Sequence, residues 1–456
     1  MSDWIVALAY VAFLGGGLFA AFVFSLGYVW VDAFGPQYVG RFVLGGYPIS
    51  AIIAIAAFMG YVLLDRRSPP RIGLGIILMV LMAAWMTLTM EWAVRPESAW
   101  RKWDWAFNAV VFAAFMPFAI RTRVQIEAML QIFLLGSGMH LIGTGIKSAI
   151  TGGGYNQHVT LLPPDTGLAE SSAMATVAIM VIPLLVVLRQ HSLLLPFPKL
   201  RTAFYIFYGI TCLTAMVGTG ARTGLVCVAV LAVLIWHRSK HKLVAAVSVV
   251  LVGALLFAFA PQRWHSRMST IDDFNQETSA LTRIRIWQWS LDFVRDHPLG
   301  GGFRAYEVSV IHMPPDAFNP EGWIQRGRAP HSTWFEVLTE LGYPGAIMFA
   351  ALIGLTFLTL YRTRRRTRDI ADLAWAHDLS LGLMHAMLIL MAGATFIGIG
   401  FKPWFWLMFS ASFALSECVR RSLADPIKVA RFVPATPAPT PVRGLAARGL
   451  MGRGRA

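Results

Sequence analysis

The chain has 456 residues, 56% of them hydrophobic and only 14% charged, with a mean hydropathy of +0.59. So little charge over such a length excludes an ordinary soluble enzyme and a disordered chain, and fits a protein that spends most of its residues in lipid. A net charge of +15 would point to nucleic acid if it lined one soluble face; here the basic residues sit in short connections and in the tail, so no nucleic-acid partner is expected.

Apolar runs of bilayer length recur as far as residue 416 and predict an all-α, polytopic membrane protein of about twelve or thirteen transmembrane helices with one large helix-containing loop. Residues 4–34 are too long for one straight span and short for two. Gly15, Gly16 and Gly17 interrupt the run, and a tight pair of short helices would accommodate it. Asp3 stands where a signal peptide would carry a basic region, so no cleavable leader is expected. Spans follow at 48–64, 72–90, 105–120, 126–146, 168–188, 203–217, 224–236 and 243–260, and later at 345–361, 379–399 and 404–418. The domain reading is therefore N-terminal transmembrane helices (1–261), a polar loop (262–341), C-terminal transmembrane helices (342–423) and a disordered basic tail (424–456).

Lys and Arg accumulate in cytoplasmic connections. Arg66, Arg67 and Arg71, then Arg121 and Arg123, Arg189 to Arg201, Arg238 to Lys242, and Arg362 to Arg368 mark one set of alternate connections, and Arg420 and Arg421 put the C-terminus on that side. The 262–341 loop is then expected to face the periplasm or cell exterior. Cys212, Cys227 and Cys418 fall in or beside spans and give neither a disulfide framework nor a metal spacing.

Within the loop, Ile284, Trp287, Leu291 and Val294 recur at helical spacing from Leu281, and Pro298 with Gly300, Gly301 and Gly302 stops that helix. A variable loop follows. Thr333-Trp334-Phe335-Glu336 has the pattern of a capping box, and Gly342 with Pro344 would end the second helix. His331 precedes that start, where the helix dipole disfavours imidazolium and leaves a neutral ring able to accept a proton. Packing at the membrane surface is the other reading of this histidine. His265, His297 and His312 lack a comparable setting.

Arg222 lies in Val217-Gly218-Thr219-Gly220-Ala221-Arg222-Thr223-Gly224, between two spans. Alone it reads as an interfacial arginine reaching headgroups. The glycines permit close approach of an anion, which a guanidinium grips bidentately, and Arg283 with Arg222 could hold a pyrophosphate. Arg285 lies in the same first turns as Arg283. Trp287, Trp289, Trp323 and Trp334 are open to two readings, sugar stacking or ordinary interfacial anchoring.

Taken in order, three segments resemble the O-antigen ligase and polymerase superfamily, nearest to its exosortase-associated O-glycosylation ligase branch. They are Gly218 to Gly224, Arg283 to Trp287 running into Asp296-His297-Pro298-Leu299-Gly300-Gly301-Gly302-Phe303, and Ala329-Pro330-His331-Ser332-Thr333-Trp334-Phe335-Glu336 running on to Gly345. Weaker similarity covers Trp85 to Thr89, Pro96 to Trp103 and Thr151 to Tyr155. The resemblance implies transfer of a glycan from an undecaprenyl-pyrophosphate carrier to a hydroxyl of a glycan, a lipid A core or a protein, within membrane lipid. It maps the family's essential arginines onto Arg222 and Arg283 and its histidine onto His331. Glu170-Ser171-Ser172 departs from the acidic-Asn-Asn run of many relatives, leaving Glu170 as a substrate-side candidate alongside Arg285, Trp287 and Trp334. The implied chemistry, charge neutralisation by arginine and proton abstraction by histidine, requires no cofactor or metal. A polymerase extending a carrier-linked polysaccharide is the alternative, and a lipid-linked glycan flippase ranks below both because no internal repeat is found.

Overall fold

A computed structural model describes residues 2–151, 162, 167–258, 278–315 and 321–424. His265, the Gly152-Gly153-Gly154-Tyr155 run and the basic tail lie outside the described residues. Among the described residues, helices dominate, and six are long and apolar enough to cross a membrane: Leu74–Trp92, Arg123–Thr151, Ser171–His191, Pro198–Thr219, Thr333–Arg366 and Ala371–Ala394. Shorter apolar helices at Asp3–Phe19, Phe22–Phe34, Ile49–Leu63 and Lys242–Leu255 accompany them. Helices Pro96–Ala119, Arg222–Arg238 and Pro403–Ala424 complete the framework. Met1–Val419 forms one compact unit; of the second, Arg420–Ala456, the described part continues a helix.

The opening segment is a pair of helices, Ser2–Phe19 and Phe22–Phe34, broken at residues 20–21 rather than at the glycines. The glycines serve the return. A Cβ on Gly17 would lie 2.3 Å from the Phe24 ring and one on Gly16 3.2 Å from Val23, so their missing side chains let the second helix fold back on the first.

The variable stretch after the Gly-rich turn contains an antiparallel ribbon, Val310–Met313 paired with Trp323–Arg326, that periodicity did not reveal. Ile311 and Met313 bury against Ile286 of the helix Thr278–Asp296, with Leu281, Trp287, Trp289 and Trp323 packed around them. A small apolar core thus seats the ribbon on the helix.

The second loop helix does not end at Gly342. That residue leaves helical geometry (φ 65°, ψ −167°), and the chain re-enters helix to give Thr333–Arg366 with a break inside it. The Gly-rich turn fills the break: Gly301 N–H donates to Thr339 O at 2.9 Å, Gly302 N–H to Glu340 O at 3.0 Å and Tyr343 N–H to Pro298 O at 2.9 Å. The two glycine donors satisfy carbonyls that the interruption would orphan, and Pro298 O does the same for the Tyr343 N–H. Trp85 and Trp92 indoles bond Leu341 O and Gly300 O at 2.8 and 3.0 Å, and Val94 N–H bonds Gly301 O at 2.9 Å, so the junction is tied to the N-terminal helices as well.

Helix ends separate into two groups. At one, Arg67 bonds Ala119 O and Gln125, Arg121 bonds Ser68 O, Arg123 bonds His191 O, and His191 meets Asp378. The expected set of basic connections therefore gathers at one end of the bundle. The connections at the other end surround a polar cavity.

Candidate active site

His331 is set by its neighbours on both sides. Trp287 Nε1 donates to Pro330 O at 2.8 Å and stacks on Phe335 (5.1 Å between centroids, 12° between planes), pinning the segment that enters the helix. His331 itself adopts φ 46°, in the left-handed region that few non-glycine residues occupy. Ser332 follows as the N-cap without a side-chain capping bond. The capping-box expectation is corrected here: the Thr333 hydroxyl donates to Ile397 O at 2.9 Å and accepts from Ile399 N–H at 3.0 Å, while Glu336 turns sideways to Lys102, 2.7 Å away. A buried ammonium is a stronger partner for a carboxylate than a backbone amide.

The cavity holds about 410 Å³ and is lined by His331 and Pro330, by Lys102, Glu170 and Glu336, by Arg304 and Tyr306, and by residues 397–399 and 402. His331 is exposed because it faces this space. Protein packed around the side of the ring turned away from the cavity desolvates it, and this, helped by the charges of Arg283 and Arg328 and opposed by Glu336, holds its pKa below the usual 6.5. At neutral pH the ring is uncharged and able to accept a proton.

The remaining candidates are placed unequally. Arg283, half-buried in the first turns of its helix, acts electrostatically on His331 but is not among the residues lining the cavity. Arg285, two residues on, points about 200° away around the helix and is exposed. Glu170 lines the cavity and also caps Ser171–Met180, accepting from Ala173 N–H at 2.7 Å. Arg222 opens its helix directly after the left-handed turn at Gly220 (φ 62°). Gly224, half a turn further, approaches Ala175 closely enough that a Cβ would sit 3.2 Å from it. Arg222 therefore stands at the same end of the bundle as Glu170, though not in the cavity lining. Trp287 and Trp334 do not line it either: the first is engaged as described, and the second bonds Thr395 at 3.1 Å. Trp289 and Trp323 belong to the ribbon's core.

Sequence reasoning missed the ionic group behind His331. Lys102 Nζ lies 2.7 Å from Glu336 and 2.7–2.8 Å from both oxygens of Glu340, and Arg304 N–H donates to Glu340 at 2.9 Å. Lys102 and Glu340 are buried. The signal was two glutamates four apart on one face of an otherwise apolar helix, which demands a cation from elsewhere.

Residues 207–350 match the O-antigen ligase family, and residues 1–193 match a family of unknown function (DUF5935). No curated protein matches the chain. The class is that of a polytopic helical membrane protein with a glycan-transfer domain. The match over residues 207–350, about a third of the chain, supports a relationship to the O-antigen ligase superfamily.

Proposed function

We propose that this protein transfers a glycan from an undecaprenyl-pyrophosphate carrier to an acceptor hydroxyl at the periplasmic face of the bacterial inner membrane. The O-antigen ligase domain gives it a glycan-transfer role of ligase or polymerase type; the observation supporting the finer reading is the neutral His331 facing a polar cavity at the end of the bundle opposite the basic connections. In this reading the acceptor O–H gives its proton to the His331 ring as its oxygen bonds the anomeric carbon. The bond from that carbon to phosphate oxygen breaks, and the electron pair leaves on the pyrophosphate. Arg283, beside His331, and Arg222, at the same end of the bundle, lie just outside the cavity lining and are assigned that developing charge on the strength of the family resemblance. The carrier's tail stays among the spans. Similarity to the exosortase-associated branch favours ligation over chain extension.

Purified protein in liposomes, given a polyprenyl-pyrophosphate glycan and a candidate acceptor, tests this by product mass. A single glycan joined to acceptor supports ligation, and a ladder on the carrier means polymerisation. Lipid-linked glycan moved across the bilayer without a new glycosidic bond would refute transfer.

A further inference from the structure

The N-terminal region, whose match is to a family of unknown function, builds one wall of the cavity that His331 faces. Its contribution centres on Lys102, which reaches across to the O-antigen ligase domain and sits between two carboxylates of the broken helix. Phe303 and Phe401 close over the ammonium, their ring centroids 5.5 and 5.0 Å away, so water is largely excluded from the group. Backbone N–H groups of Arg304 and Gly400 occupy further acceptor sites on Glu340 and Glu336, at 2.9 and 3.3 Å.

Two acids that close together can both stay ionised only with a cation between them. Glu340 is fully enclosed, but Glu336 also opens on the cavity. The charged groups around His331 are Arg283 from the Thr278–Asp296 helix, Arg328 from the segment after the ribbon and Glu336 from the helix that His331 precedes. Arg101, Lys102, Glu170, Arg304, Tyr306 and Lys402 stand around the same cavity. Without the ammonium, Glu336 would seek a proton donor across that space, and an imidazolium would satisfy it.

We propose that Lys102 is a positioning residue of the transfer centre, supplied by the region of unknown function: by clamping Glu336 and Glu340 it holds the acidic wall away from His331 and keeps the ring able to take the acceptor's proton. This rests on the transfer reading above. It gives the N-terminal region a direct part in the site, where a purely scaffolding region would need only apolar contacts.

The test is kcat/KM for transfer against pH in proteoliposomes, which reports ionisations of the free enzyme, for wild type, Lys102→Met, Lys102→Arg and Glu336→Gln. Wild type should show an acid limb. In Lys102→Met that limb should move toward neutral pH by about one pH unit, the order a nearby unscreened carboxylate produces, with kcat at mildly acidic pH falling more than KM rises. Lys102→Arg should restore much of the wild-type profile. Glu336→Gln, which retains the Lys102–Glu340 pair, should move the limb the other way, and it decides the matter alone if Lys102→Met does not fold. Coincident limbs in wild type and in every folded variant, or a Glu336→Gln limb at higher pH, would overturn the role of Lys102 while leaving the transfer reading standing. Absence of transfer by wild type would remove the reading and this inference together.

Discussion

His331 combines a costly backbone with a tuned ring. A residue at φ 46° stores on the order of 1–3 kcal/mol of strain, held here by the Trp287 bond to Pro330 and by the helix that follows. Asparagine tolerates that geometry better than alanine, so His331→Asn is the cleaner probe. It should insert, fold and bind carrier lipid like wild type while transferring about a hundred-fold to ten-thousand-fold more slowly, the usual contribution of a general base; full activity, or loss of binding with activity, would refute the role. The ring's depressed pKa fixes the direction of the pH dependence. Since the neutral form is active, rate rises with pH through a value below 6.5 and then levels off. Stability has a matching sign: above 6.5 both folded and unfolded forms are neutral, and as pH falls from 6.5 through the folded value the unfolded chain takes up the proton first, so the fold loses stability. Arg283→Lys keeps charge but loses the planar fork. If Arg283 pairs with pyrophosphate, it should lose about 1.5–3 kcal/mol of transition-state binding, read as kcat/KM; an unchanged kcat/KM would leave Arg283 only its electrostatic effect on His331.

At the scale of elements, the joint between the Gly-rich turn and the broken helix is the most demanding feature. A Cβ on Gly342 would lie 2.3 Å from Pro298 O and one on Gly300 2.5 Å from Glu340 O, and both residues have positive φ. Gly342→Ala should therefore lower thermal stability in detergent by about 1–3 kcal/mol or more and reduce activity through displacement of the helix start; a neutral result would mean that the joint opens without cost. Thr333→Ala should cost about 1–2 kcal/mol by cutting its two bonds to residues 397 and 399. Much of this was readable beforehand. Thr278–Asp296 follows from its apolar spacing, and the interruption at Gly342 follows from Gly and Pro. The cap was misread because the Ser-Thr-Trp-Phe-Glu pattern is blind to a lysine over two hundred residues away that claims the glutamate. The ribbon escaped because four-residue strands give too little alternation to detect, and Pro314 and Pro315 directly follow the first of them. His331 and Arg283 were marked by local context and Glu170 by the family resemblance, whereas Lys102 acquires its meaning only from a long-range contact.

Among the described residues, the connections held by Arg67, Arg121, Arg123 and His191 lie at the end of the bundle opposite the cavity, an arrangement that suits one face toward cytoplasm and one toward an extracytoplasmic substrate. The native cysteines are buried, so single introduced thiols can report sidedness with little background. Glu321→Cys should react with an impermeant maleimide in intact spheroplasts and Arg365→Cys only after lysis; the reverse pattern would invert the topology. The apolar helices were legible because lipid imposes length rules that sequence displays directly, although among the described residues six, not twelve or thirteen, are long and apolar enough to cross a membrane; the convergence of the 102, 170, 304, 331 and 402 positions on one cavity is a property of packing. The most direct measurement is the single-turnover transfer rate from pre-bound polyprenyl-pyrophosphate glycan in proteoliposomes, comparing wild type with His331→Asn at matched donor occupancy. The account predicts glycan on the acceptor with wild type and a rate at least about a hundred-fold lower for the variant. Equal rates at equal occupancy would contradict it.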